Sequence, residues 1–163
     1  AGRPVDDDDL LALLEAARFA PSCMNEQPWQ YVVAQAPADH EKMVSVLNPA
    51  NQEWASRAPV LMLILTRKNF SSGRGNRFHQ FDAGTSWGFL QLEAQRRGLI
   101  THAMAGFNHD MARDVFAVPD DYEIMAAVAV GYYGNPEELS ARYREREHPQ
   151  PRKSLAEMFF RNE

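Results

Sequence analysis

At 163 residues the chain is long enough for one domain that buries roughly 70% of its unfolded surface, so no disulfide or metal staple is needed. With 45% apolar and 24% charged residues and a net charge of -5, it has the make-up of an ordinary folded protein and not of a nucleic-acid binder. The lone cysteine, Cys23, excludes an intramolecular disulfide, and the histidines at 40, 79, 102, 109 and 148 show no pair at metal-ligand spacing, which disfavours a metal enzyme. The longest apolar run, 59–65, is too short to cross a bilayer. No signal peptide opens the chain, and a cytoplasmic protein without a membrane partner is expected.

In chain order, Asp6 to Asp9 place acidic groups at the start of a helix carrying Leu10, Leu11, Leu13, Leu14 and Ala17, and this helix stops at Pro21. Residues 29–34 are β-branched and aromatic and predict a strand. A short helix is expected over 39–47, broken by Asn48 and Pro49. The continuous apolar run 60–65 predicts a strand covered on both faces. Residues 69–76, rich in Ser, Gly and Arg, read as an exposed, mobile loop. A long helix follows over 80–97, with Gly98 as its C-cap. Its small residues Ala83, Gly84, Ser86 and Gly88 favour close approach of another backbone, in the core or at a subunit contact. A mixed segment covers 99–107, Asn108 caps a helix through Phe116, and 123–132 is a second buried strand. Arginines 142, 144 and 146, interleaved with Glu145 and Glu147, predict a charged helix with a solvated face before Pro149. The apolar residues of the tail, Leu155, Met158, Phe159 and Phe160, need a surface to bury against, and a partner subunit is one candidate. Helices alternating with about four strands predict a helix-covered sheet.

The most informative stretch is 20–29, between the first helix and the first strand. It is dense in short hydrogen-bonding side chains, and Pro21 and Pro28 stiffen the backbone that presents Ser22, Asn25 and Gln27. Such a loop suits a neutral, polar, heterocyclic or hydroxyl-rich ligand. Taken without any wider pattern, Ser22 and Asn25 could equally satisfy turn amides, and Gly106 could be a turn glycine.

The segment Pro21, Ser22, Asn25, Gln27, Pro28, Trp29 resembles the Pro-Ser-x-x-Asn-x-Gln-Pro-Trp motif of the flavin-dependent nitroreductase family. Further similarity follows at Asn51 to Pro59, at Asp82, Ala83, Gly84, at Gly98, Leu99, and at Ala105, Gly106, Phe107. It continues through Val118, Pro119 and the strand at 128–131 to Arg152, Lys153, Ser154, Leu155. The resemblance spans about Pro4 to Phe160. It implies a single α+β domain over 1–163, an intertwined homodimer with FMN at the interface, and a C-terminal arm, 149–163, that crosses to the partner. It also implies an oxidoreductase that passes hydride from NADH or NADPH through the flavin to a nitroaromatic, quinone or similar acceptor.

On that resemblance Pro21, Ser22, Cys23 and Asn25 meet the flavin from one subunit. Asn51, the backbone at Ala105 and Gly106, and Arg152 with Lys153 meet it from the other, and Gln27 braces the loop. Chemistry is carried by the flavin, so no catalytic side chain is assigned. Asp82 is expected to be a helix-start residue, His79 and His102 to bond locally, and Trp54, Phe70, Phe78 and Phe107 either to line an aromatic substrate space or to pack. Two departures stand out. Family members usually begin with an Arg-Arg-Ser-x-Arg-like cluster for the FMN phosphate, whereas only Arg3 stands here, so the natural protein is expected to continue upstream of Ala1. Position 54, a lysine in some members, is Trp54. The departures motivate a rival reading, a flavin-binding or flavin-free dimeric scaffold with a regulatory or sequestering role and no turnover.

Overall fold

The computed structural model describes residues 3–160. The chain divides into two units, Ala1–Tyr133 and Gly134–Glu163. In the first unit the order is α1 (Asp7–Arg18), β1 (Trp29–Ala34), α2 (Pro37–Val46), α3 (Pro49–Ala55), β2 (Val60–Arg67), α4 (His79–Arg96), β3 (Ile100–Met104), α5 (His109–Val115) and β4 (Tyr122–Gly131). The strands form one antiparallel sheet in the order β1-β2-β4-β3. This is a mixed helix and sheet fold of the α+β class expected from the sequence.

Strand β2 is central and explains the double-sided core. Its Leu61, Leu63 and Leu65 point to one face, where Met43 and Val46 of α2, Ala55 of α3 and Ala112 of α5 cover them. Val60, Met62 and Ile64 point to the other, against Leu10, Leu13 and Ala17 of α1 and Leu90 and Ala94 of α4. Each of the buried Leu, Ile, Val and Met side chains among these contributes about 1.5–3 kcal/mol, and the alanines less. The β2–β4 register shifts between Ile64 and Leu65, so that Ile64 pairs with Ala126 and Leu65 with Ile124. The extra residue is Met125, and it reverses the parity of β4. Ala127 and Ala129 lie on the α2 face beyond it, but Ile124 and Tyr122 do so before it.

The helix ends follow their chemistry with two differences from expectation. Asp6 stands at the N-cap of α1 without a side-chain cap bond, so the first-turn acids Asp7, Asp8 and Asp9 act through charge on the helix dipole. The break expected at Asn48 and Pro49 is present, with α2 ending at Val46, but Pro49 also opens a further helix, α3, from the N-terminal turn, where its missing N–H is no loss. Gly98 follows α4 with φ of 74°, the left-handed conformation that closes a helix. Asn108 caps α5 by accepting from Met111 N–H at 3.0 Å.

In the second unit the charged helix expected before Pro149 is reduced to one turn, α6 (Ala141–Arg144), after a 3-10 turn at Pro136–Glu138. Neither turn buries a residue, and a helix of this length without a buried face does not propagate. Ser154 and Glu157 close a capping box around a last turn, Leu155–Glu157.

Candidate functional site

The loop before β1 is held in an uncommon backbone. Met24, Asn25 and Gln27 all have positive φ, 54°, 57° and 48°, inside the six residues between Pro21 and Pro28. Three non-glycine residues in this region cost free energy that the surroundings must offset. The offsets are visible: Ser22 Oγ accepts from Gln27 N–H at 2.9 Å, and Gln27 Nε2 donates to Asn25 O at 3.2 Å. The Gln27 side chain is therefore spent inside the loop. Asp82, on the first turn of α4 and only 3% exposed, accepts from Cys23 N–H at 3.1 Å and ties the loop to the α4 face of the sheet. Sequence reasoning treated Asp82 as a helix-start residue; the structure adds this bond across 59 positions. Ser22 and Cys23 are half-buried, and Asn25 is exposed.

A second polar cluster lies at the opposite edge of the sheet. Gly106 follows β3, and its carbonyl accepts from Asn51 Nδ2 and from Asn48 N–H, both at 2.9 Å. An added Cβ at Gly106 would lie 2.6 Å from Asn51 Nδ2 and 3.4 Å from Asn48 Nδ2, so only glycine lets the Asn51 side-chain amide close over this carbonyl. Holding Nδ2 against a carbonyl also fixes the sense of the Asn51 amide, because the opposite flip would set oxygen against oxygen. Oδ1 and the second Nδ2 hydrogen remain for another partner. Ala105 is exposed beside it. Asn48 was not singled out from the sequence, and its place next to Pro49 at a helix start was the available signal.

The aromatic candidates divide. Phe107 and Phe70 are buried; Phe107 belongs to the core under α2 and α5, and it packs there instead of lining a substrate space. Trp54 is partly buried against the same core and meets the His102 ring edge-on at 4.9 Å. Phe78 is the one that stands substantially exposed. His79 Nε2 is 3.8 Å from the Glu123 carboxylate. Cys23 is a free thiol, and no group of three or more His, Cys, Asp or Glu able to hold a metal occurs among the described residues. In the second unit Arg152 and Lys153 are exposed, with Arg152 Nη1 donating to Gln150 O at 3.3 Å. Arg3, the lone N-terminal arginine, stacks 4.0 Å over the Tyr132 ring beyond the end of β4, whereas the Ser22–Gln27 loop enters β1 at Trp29, opposite Thr66 at the C-terminal end of β2. Arg3 is thus at the other end of the sheet from that loop.

Residues 1–132 match the family model described as "Nitroreductase family". The chain belongs to the nitroreductase family. A solved structure described as an oxidoreductase containing FMN is 34% identical, with a TM-score of 0.94 over 99% of this chain and 84% of that one. A nitroreductase family protein from Streptococcus pneumoniae TIGR4 shares the fold at 19% identity, with a TM-score of 0.80 over 99% of this chain and 92% of that one. A Thermus thermophilus protein named NADH dehydrogenase is 26% identical over 79% of this chain and 78% of its own length. Nitroreductase-family membership makes this chain one of a group of oxidoreductases. No helix among the described residues is long and apolar enough to cross a membrane.

Proposed function

We propose that two copies of this chain bind FMN between them and use it to reduce a small nitroaromatic, quinone or related acceptor at the expense of NADH or NADPH. The observation that carries the reading is the division of the polar residues into two separate half-sites. Ser22, Cys23 and Asn25 stand before edge strand β1 and are tied to α4, while Gly106 follows edge strand β3 and is held by Asn51 of α3. The two edge strands are three inter-strand spacings apart, roughly 14 Å. One copy cannot close both half-sites on the two sides of a single planar ligand, but a second copy supplies the missing half. The α4 helix offers the surface for it: Phe81, Phe89 and Leu92 are exposed, and a Cβ on Gly84 or Gly88 would meet nothing within 4 Å.

The residues fit the cofactor by their chemistry. Gly106 leaves the space in which the Asn51 amide sits against its carbonyl, and Asn51 so held keeps an acceptor and a donor for a heterocyclic imide edge. The amides at Ala105 and Gly106 are candidate donors beside the ring, and the positive-φ loop presents Ser22 and Asn25 from a backbone set before binding. Arg152 and Lys153, on the 149–163 arm, are assigned to the phosphate, with the arm reaching the partner. When bound, FMN supplies the hydride chemistry, accepting hydride from the nicotinamide and passing it on. The chain contributes orientation, hydrogen bonds to the ring edge and exclusion of water. The lone Cys23 accords with a cytoplasmic setting.

The test is an anaerobic spectrum. Protein incubated with FMN and freed of excess is expected to be yellow, to bleach on adding NADH or NADPH, and to recover its colour on adding a quinone. A colourless protein that FMN does not reconstitute, or a stable monomer, overturns the reading; bound flavin that no nicotinamide bleaches favours the scaffold without turnover.

A further inference from the structure

The connection between β2 and α4 is the most basic part of the first unit. From Arg67 to Arg77 it carries Arg67, Lys68, Arg74 and Arg77 and no acidic residue, in a chain with a net charge of -5. It is also a folded hairpin, where a mobile loop was expected. Asn69 bridges Gly75, Phe70 N–H donates to Arg74 O and Asn76 N–H to Lys68 O, both at 2.8 Å, and buried Phe70 anchors the turn. Gly73, with φ of 84°, makes the reversal.

This hairpin is tied to the Ser22–Gln27 loop. The Glu26 carboxylate accepts from Ser71 N–H at 3.0 Å and from Ser71 Oγ at 2.8 Å, and Arg67 N–H donates to Pro28 O at 2.9 Å. The nearby acid is therefore occupied by Ser71. Arg67 is partly neutralised by Asp121, 3.7 Å away, and donates to the Tyr122 hydroxyl. Lys68, Arg74 and Arg77 are exposed and form no salt bridge among the described residues. The guanidinium of Arg74 lies 5.1 Å from the Phe70 ring and that of Arg77 lies 5.3 Å from the Phe78 ring. Stacking of this kind holds the head groups while leaving their N–H donors to a ligand.

We propose that this hairpin recognises an anionic group, a phosphate monoester or a carboxylate, on the small molecule that enters the site bounded by the Ser22–Gln27 loop. The proposal rests on the flavin reading above. Three cations without a salt bridge, Lys68, Arg74 and Arg77, lie on one hairpin that Ser71 ties to the loop, so that a single anion meets them together. Arginine forks suit either anion. The same chemistry has two sources, the 2′-phosphate of NADPH and an acidic substituent on the electron acceptor, and the experiment separates them.

Wild type and the double variant R74Q/R77Q are compared after FMN loading, with the flavin absorbance of each sample recorded. Rates are measured with NADPH against NADH, and with 4-nitrobenzoate against nitrobenzene. Adenosine 2′-phosphate and benzoate are titrated by calorimetry. The expected result is a drop of roughly tenfold in kcat/KM for one anionic member with its neutral counterpart unchanged. A drop confined to NADPH, with weaker adenosine 2′-phosphate binding, assigns the hairpin to the nucleotide. A drop confined to nitrobenzoate, with weaker benzoate binding, assigns it to the acceptor. Equal losses for charged and neutral members, or none, overturn the proposal. If the double variant loses flavin, R74Q alone is read by the same pairs. A colourless wild type sinks the flavin reading separately, and the two titrations then still decide whether the hairpin binds anions.

Discussion

Replacing Gly106 with alanine separates the binding site from the fold. The new methyl group would sit 2.6 Å from Asn51 Nδ2, where ordinary contact begins near 3.4 Å. Gly106 is not among the positive-φ glycines, so alanine meets no backbone strain there. The atom that must yield is the end of a half-buried side chain, and Asn51 can swing its amide away towards water. Folding then loses one neutral hydrogen bond, about 0.5–1.5 kcal/mol. In a domain of this size that lowers Tm by roughly 2–5 °C. Binding loses more, because the displaced Asn51 amide no longer offers its Oδ1 and its second Nδ2 hydrogen in a fixed place. Two hydrogen-bond equivalents correspond to roughly a hundredfold weaker FMN binding. Titration of apoprotein with FMN by fluorescence quenching, beside a thermal melt, measures both quantities on one preparation. FMN bound by Gly106→Ala as tightly as by wild type would refute the cradle, and a melt that collapses in step with affinity would assign Gly106 to the fold instead.

Other outcomes follow from single contacts. Asp82→Ala removes the acceptor of Cys23 N–H and is expected to cost about 1–3 kcal/mol and to weaken FMN binding. Asp82→Asn keeps an acceptor oxygen and should restore most of both, which chemical denaturation and flavin titration check. Arg96 and then Arg97 hold the Glu93 carboxyl down at about 2, against an ordinary 4.5. Its contribution is therefore present above pH 4.5 and is lost as pH falls through about 2. The Tm gap between wild type and Glu93→Gln should be constant at neutral pH and close progressively over that acid window. Gly98→Ala places a side chain at φ of 74° and should cost about 1–2 kcal/mol in denaturant melts without changing FMN affinity.

How much of this was legible depended on the range of the interaction. Local rules carried the strands at 29–34, 60–65 and 123–132, the Asn108 cap and the Gly98 stop, because alternation, capping and left-handed closure act within a few residues. They carried the break at Asn48 and Pro49 but missed α3 behind it, since a proline that stops one helix can also open the next, and only the surrounding packing decides that. They also missed β3 as a strand. Its outer positions His102 and Ala103 are exposed, so the segment carries little apolar patterning, and pairing with β4 defines it.

For the site, the density of Ser, Asn and Gln between two prolines marked the loop, but its anchors were beyond reach of sequence. Cys23 meets Asp82 across 59 positions, Asn51 meets Gly106 across 55, and Glu26 meets Ser71 across 45. Each of these bonds uses a common polar residue whose partner is chosen by sheet order alone. The same order keeps the two polar clusters on separate edges, and on the proposed reading each is one half of a site that a second copy completes. If FMN is bound as proposed, exchanging residues between copies gives a direct check. Asn25→Ala and Gly106→Ala chains, each impaired alone, should form mixed dimers holding one intact site of the two. Recovery of up to about a quarter of the wild-type flavin on mixing at random would then follow, because about one dimer in two is mixed and each mixed dimer holds one intact site of its two. No recovery in dimers shown to be mixed would mean that both residues act within a single copy.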